Sequence, residues 1–215
     1  VLLTAEPAED APSPDGALAV VRRILAELWA QPRYAGFLFA AKFGETLGGA
    51  LLKASMQRHG FSRELIGTID GIFGSIATVL GAVVGGVIAR RWGWSRALFG
   101  MSALQGGALV AIAVYQVGDV DTAGFAVRLV CENFAGGGVG VAVFMLAMTK
   151  CSRDIAATQF TAAQVVYMLG AVAAAPLSFA LADAIAIAPV MIAGGVLAVG
   201  VAIVALRHGP RIERR

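Results

Sequence analysis

Hydrophobic and polar positions follow one another in long blocks along this chain, not at the period of two that a strand would show. Apolar runs occupy positions 34–54, 65–89, 96–117, 123–148, 155–182 and 186–206. Each is near the roughly 20 residues that a helix needs to cross about 30 Å of hydrocarbon. The breaks are short and polar: "QRHGFSRE", "RRWGWSR", "GDVD", "TKCSRD" and "DAIA". The pattern predicts an all-α, polytopic membrane protein with six transmembrane helices. Ahead of the first run, residues 1–20 hold Pro7, Pro12, Pro14 and four acids without apolar periodicity, as a flexible polar linker does. "VVRRILAELWAQPRY" then has the spacing of an amphipathic surface helix, interrupted by Pro32. The expected division is a linker with this helix over 1–33, the bundle over 34–206 and a basic tail, "RHGPRIERR", over 207–215. Such a tail anchors to anionic lipid.

Composition strengthens this picture. Of 215 residues, 58% are hydrophobic and 14% charged, with a mean hydropathy of +0.78, against about 45–50% and about 25% in soluble domains. An ordinary soluble fold is excluded. The net charge of +3 matters through its placement. If the spans alternate, twelve of the seventeen Lys and Arg residues fall on one side. Lys53, Arg58 and Arg63, with Arg128 close by, fall on the other. That bias places both termini in the cytoplasm. The first twenty residues are acidic and proline-rich, unlike a signal peptide, and the start at Val1 leaves room for a longer parent chain. Cys131 and Cys151 form neither a disulfide framework nor a CxxC pair.

Ionisable residues inside the spans carry the functional information, because a charge at the bilayer centre costs about 2.5–3.5 kcal/mol even on insertion scales and faces the bundle interior or a wet cavity. Lys42 and Glu45 lie in the first run, Asp70 in the second and Glu132 in the fourth. Lys42 and Glu45 are three residues apart and share a helix face. At about 1.5 Å per residue, Glu45 and Glu132 both fall near mid-depth and Asp70 nearer the outer side. One reading is a cluster that binds protons or substrate in a cavity between helices. The other is a structural Lys42–Glu45 pair with no part in transport. Glu132 has no obvious partner on its own helix, which favours the first reading there.

Glycines have a plainer role. Gly136, Gly137 and Gly140, among small neighbours, predict a face on which two helices approach closely, as do Gly81, Gly85 and Gly86. "GGGVG" is not a dinucleotide loop, since no strand precedes it and no acidic ribose ligand follows. In "GGVIARRWGWSRALFG" a basic hairpin joins two spans directly. Either it lets the helices rock on each other, or its arginines merely follow the positive-inside rule. His59 and His208 stand outside the spans, which argues against a buried Ser–His hydrolase. No His/Cys cluster suggests a metal. An enzyme, a cofactor, a metal and a nucleic-acid partner are all unexpected.

Several of these stretches together resemble the C-terminal half of a major facilitator superfamily transporter, and more narrowly the AmpG-type muropeptide permeases. "GGVIARRWGWSRAL" is similar to the superfamily's basic signature between paired helices, assigning Gly86, Arg90, Arg91, Gly93 and Arg96 to conformational gating. "AKFGETL" resembles a Lys-x-Gly-Asp segment of the seventh helix, with Glu45 where Asp is usual. "RALFGMSALQGG" resembles the start of the ninth. "CENFAGGGVGVAVFMLAMTKCSRDIAATQF" covers the Glu-Asn of the tenth helix and the opening of the eleventh. It adds Asn133 and Gln159 to Lys42, Glu45, Asp70 and Glu132 as candidates for substrate or proton binding. The chain departs from the family at Asp70, where an Asn-Lys pair is usual, and at Ala171, where a basic residue often follows the glycine. The resemblance implies proton-driven import of anhydro-muropeptides, small glycopeptides, across the bacterial inner membrane. It also implies a partner six-helix half, in the same chain or in a dimer, and a midplane site exposed alternately. The rivals are a facilitator for a drug, sugar or acyl-CoA, and a six-span scaffold that transports nothing.

Overall fold

A computed structural model describes residues 31–213 except 119, 153 and 154, together with Ala19 and Arg22, and side chains as far as Arg207. Most of the expected linker and amphipathic helix, and the side chains of the basic tail beyond Arg207, lie outside the described residues. Within them every regular element is helical. Helix α1 (Pro32–Gly49) starts with proline in its first turn, where the missing N–H has no helical partner to lose. The short α2 (Leu52–Arg58) follows. Helix α3 (Arg63–Trp92) is capped by the Ser62 hydroxyl, which accepts from the Leu65 N–H at 3.2 Å. Its stretch Gly67–Gly74 is wound as a π-helix before the α-helix resumes at Ser75. Then come α4 (Trp94–Tyr115), α5 (Thr122–Lys150), α6 (Ala156–Ile185) and α7 (Ile187–Glu213).

Five helices are long and apolar enough to cross a membrane: Arg63–Trp92, Trp94–Tyr115, Thr122–Lys150, Ala156–Ile185 and Ile187–Arg207. This is an all-α polytopic membrane protein. The run expected at 34–54 differs from the other five. It is helical but breaks near Ala50 into α1 and α2, and α1 carries Arg33, Lys42 and Glu45 within 18 residues. Those charges are tolerated because α1 is packed between α6 and α7, with Lys42 and Glu45 turned inward.

The packing order explains where a site can form. Neighbours follow one another as α6–α1–α7–α4–α5–α3, an open arc with α3 and α6 at its ends. Both end helices present large exposed apolar side chains: Ile72, Phe73, Val79 and Val83 on α3, Val165, Leu169 and Val172 on α6. Inside the arc small residues set the spacing, as expected where packing and not water exclusion drives association. A Cβ on Gly81 would overlap the Phe134 carbonyl oxygen, and one on Gly85 would stand 2.5 Å from the Gly138 Cα. Gly194 meets Gly48 of α1, while Gly195 meets Gly106 of α4. The expected glycine face of α5 is met at two of its three positions. Gly137 and Gly138 make the close approaches, Gly136 lies under the Gln105 amide, and a Cβ on Gly140 would meet nothing within 4 Å.

Two apolar clusters fill the bundle. One includes Leu38, Leu98, Met101, Val143 and Leu146, the other Leu51, Leu109, Ile112, Phe125 and Leu129. The boundary between them is polar. On α4, Gln105 sits one turn from Met101 on one side and Leu109 on the other; on α5, Glu132 stands between Leu129 and Ala135. The same period that buries the apolar residues therefore aims these two polar side chains inward.

Candidate functional site

At this boundary lies a cavity of about 510 Å³. It is lined from α1 by Lys42, Glu45 and Thr46, from α2 by Lys53 and Met56, and from α3 by Asp70 and Thr78. Gln105 of α4 and Glu132, Asn133, Gly136 and Gly137 of α5 complete the polar and backbone wall. Five formal charges face it: two ammonium groups and three carboxylates.

Each carboxylate has different company. Glu45 is bridged to Lys42 at 2.5 Å and accepts the Tyr167 hydroxyl of α6 at 3.2 Å. The Lys42 ammonium also lies 5.4 Å from the centre of the Tyr167 ring, within cation–π range. Asp70 pairs with Lys53 at 2.9 Å and accepts from the Asn133 amide at 3.3 Å. That amide also donates to the Leu129 carbonyl oxygen at 3.1 Å, which fixes Asn133 on its own helix. Glu132, only 7% exposed, accepts from the Gln105 amide nitrogen at 3.0 Å. Gln105 is itself buried, and its amide oxygen has no hydrogen-bond partner among the described residues. The arrangement offers an acid held by a neutral amide beside two acid–ammonium pairs. A carboxylate so placed can exchange a proton without breaking an ion pair, and the paired lysines can meet an anionic group.

Of the residues expected from the sequence, Lys42, Glu45, Asp70, Glu132 and Asn133 are brought to this one cavity. Gln159 is not. Its amide oxygen accepts from the Ser152 backbone N–H at 2.6 Å and from the Ser152 hydroxyl at 3.2 Å, tying the α5–α6 turn. Gly86, Arg90, Arg91, Gly93 and Arg96 lie at the α3–α4 turn, with all three arginines exposed and Gly93 at φ 88°. Among the described residues no group of three or more His, Cys, Asp or Glu could hold a metal ion.

Three participants were not anticipated. Gln105 interrupts an apolar run at the period of its buried face, a signal the sequence did carry. Lys53 reads as one more outer basic residue until the break after α1 turns α2 toward the cavity. Tyr167 is 122 positions from Glu45, so only packing could join them. His59 is also better placed than an outer-loop position suggested. Its ring nitrogens lie 2.8 Å from the Ser55 carbonyl oxygen and 3.1 Å from that of Gln116, joining the end of α2 to the end of α4.

The class defined so far is an all-helical, multi-pass membrane protein with a charged cavity between its helices. Comparison with known proteins narrows this. Over 139 residues, 64% of its length, the chain is 28% identical to the anhydromuropeptide permease of Escherichia coli (strain K12), and equally to that of Escherichia coli O157:H7. The matched region is 28% of each of those proteins, so the chain spans well under half of the curated relatives it matches. No family model matches.

Proposed function

We propose that the chain is the C-terminal six-helix half of a proton-coupled, major-facilitator-type permease that imports anhydro-muropeptides across the bacterial inner membrane, with both ends cytoplasmic. The observation that carries this reading is the convergence of Glu45, Asp70 and Glu132, from three different helices, on one cavity in an otherwise apolar bundle. Intramembrane carboxylates that face a shared cavity mark proton and substrate paths. Similarity to the permeases named above supports the substrate class. The open arc supports a partner half, because its two end helices, α3 and α6, keep large apolar side chains exposed. α1 is then the sixth crossing, its charges shielded by its neighbours. Lys53 and Asp70 lie toward the periplasmic mouth, Gln105 and Glu132 near the midplane. The basic α3–α4 turn lies at the cytoplasmic end.

The decisive experiment measures uptake of labelled anhydro-muropeptide into vesicles that contain the full-length gene product, with and without an imposed pH gradient. Gradient-dependent accumulation is expected. Accumulation of a drug, a sugar or an acyl-CoA instead would replace the substrate assignment. A folded protein that moves none of these would support the scaffold reading. Translation of the DNA upstream of Val1 should show six further spans in frame, or identify a separately encoded half.

A further inference from the structure

The two lysines at the cavity are not equivalent. Lys42 is enclosed: its side chain is 20% exposed, and Glu45 and the Tyr167 ring hold it on two sides. Lys53 remains 67% exposed although its ammonium lies 2.9 Å from the Asp70 carboxylate. Asp70 is the fixed member of that pair. It is 22% exposed, it is held by Asn133 from α5, and it projects from the π-wound stretch of α3, a rare winding that is frequent at functional sites. Lys53 stands instead on the seven-residue α2 and reaches the cavity through a flexible stem.

We propose that Lys53 is a specificity-determining residue that selects an anionic group, a carboxylate, on the transported molecule, with Asp70 as its counter-ion when the cavity is empty. This rests on the transport reading above. An exposed ion pair contributes only about 0–1 kcal/mol, so an incoming carboxylate displaces Asp70 at little cost. A lysine ammonium has three donors, so it can hold the new carboxylate while still touching the old one. Asn133 meanwhile keeps Asp70 in place to recapture Lys53 after release. Lys42 cannot serve in this way without losing its contacts to Glu45 and Tyr167.

The test compares uptake of labelled anhydro-muropeptide with uptake of the same compound after its peptide carboxyl groups are converted to amides, in vesicles containing the full-length gene product. The wild type is expected to favour the free acid by about tenfold or more in KM, the scale of a charge-assisted hydrogen bond. Lys53→Gln should abolish that preference by raising KM for the acid about tenfold more than for the amide. Lys53→Arg should keep it. Lys53→Met replaces the glutamine variant if that protein fails to insert. A wild type indifferent to charge, a neutral variant that still prefers the acid, or equal loss on both compounds overturns the assignment. A wild type that moves neither compound fails the transport reading itself; transport by a wild type that ignores charge fails only this one.

Discussion

Replacing Glu132 with glutamine separates the two roles that a buried acid can have, packing and proton exchange. In the native cavity the Gln105 amide nitrogen donates to Glu132 at 3.0 Å, while the Gln105 amide oxygen has no partner among the described residues. A glutamine at 132 keeps the existing bond through its own amide oxygen. Its new NH₂ group can donate to the orphaned Gln105 oxygen, closing a reciprocal amide pair. One net hydrogen bond is worth about 0.5–1.5 kcal/mol, so Glu132→Gln should match or exceed the wild type, with Tm unchanged or raised by about 2–4 °C per kcal/mol. Glu132→Leu removes the acceptor alone and leaves the buried Gln105 amide nitrogen unsatisfied, at a cost of about 1–3 kcal/mol. Transport should respond otherwise. If one proton moves with each substrate, a gradient of one pH unit supports about tenfold accumulation. Glu132→Gln should bring that ratio to about one while counterflow exchange without a gradient persists. The assay is paired gradient-driven and counterflow uptake in the same vesicle preparation, with detergent melting of the same protein. Tenfold accumulation by the glutamine variant would refute Glu132 as the coupling acid. A melting temperature several degrees below wild type would refute the amide pair.

Other substitutions test the fold that positions the cavity. Gly137→Ala should destabilise by about 1–3 kcal/mol, the cost of overpacking, because its Cβ would overlap the Thr78 backbone carbonyl; Gly140→Ala, in open space, should be neutral or slightly stabilising in the same melt. Ala186 turns the chain between α6 and α7 at φ 86° and ψ 165°, a region that essentially only glycine occupies. Ala186→Gly should therefore raise stability by roughly 1–3 kcal/mol, and an unchanged melt would count against the strain. At the start of α5, the Asp121 carboxylate is held below its usual range, chiefly by the Tyr115 hydroxyl and next by the Gly124 N–H. Because its folded value is the lower one, its contribution is present above the ordinary carboxylate range and is lost as pH falls through the folded value. Asp121→Asn should remove that acid-dependent part of amide-exchange protection at the turn, and identical acid profiles would show that the cap carries none of it.

The bundle was legible because its signal is repeated over whole helices. Twenty-residue apolar runs and short polar breaks placed the turns at Gly93, after Tyr115, after Lys150 and at Ala186 close to where the described helices end. The first run was less legible for a local reason. Its charges lower its hydropathy, and no sequence period marks the break near Ala50 that redirects Lys53. Intramembrane charge found Lys42, Glu45, Asp70 and Glu132 because such groups have few places to go in lipid. It could not find neutral partners. Gln105 was marked only by interrupting a buried apolar period, and Tyr167 matters through a contact 122 positions away. Of the glycine face expected at Gly136, Gly137 and Gly140, Gly137 makes the close approach to α3 and Gly136 lies beside Gln105, while the close packing at Gly138 was not expected.

The charge balance of the cavity wall links these details to coupling. Lys42 and Lys53 supply two positive charges; Glu45, Asp70 and Glu132 supply three negative ones. Two acids are matched by ammonium groups at 2.5 and 2.9 Å, so the excess charge belongs to Glu132, whose direct hydrogen-bond partner is an amide. One proton makes the wall neutral. A carboxylate arriving at Lys53 would make the balance more negative by one, and opposite charge elsewhere on the wall would offset it. On the transport reading proposed above, anion selection at Lys53 and proton uptake at Glu132 would be two ends of one electrostatic requirement. Lys53→Gln should accordingly weaken coupling by the same free acid that it ceases to select, although Lys53 never touches Glu132. A Lys53→Gln protein with normal selectivity and normal coupling would break both ends of the argument at once.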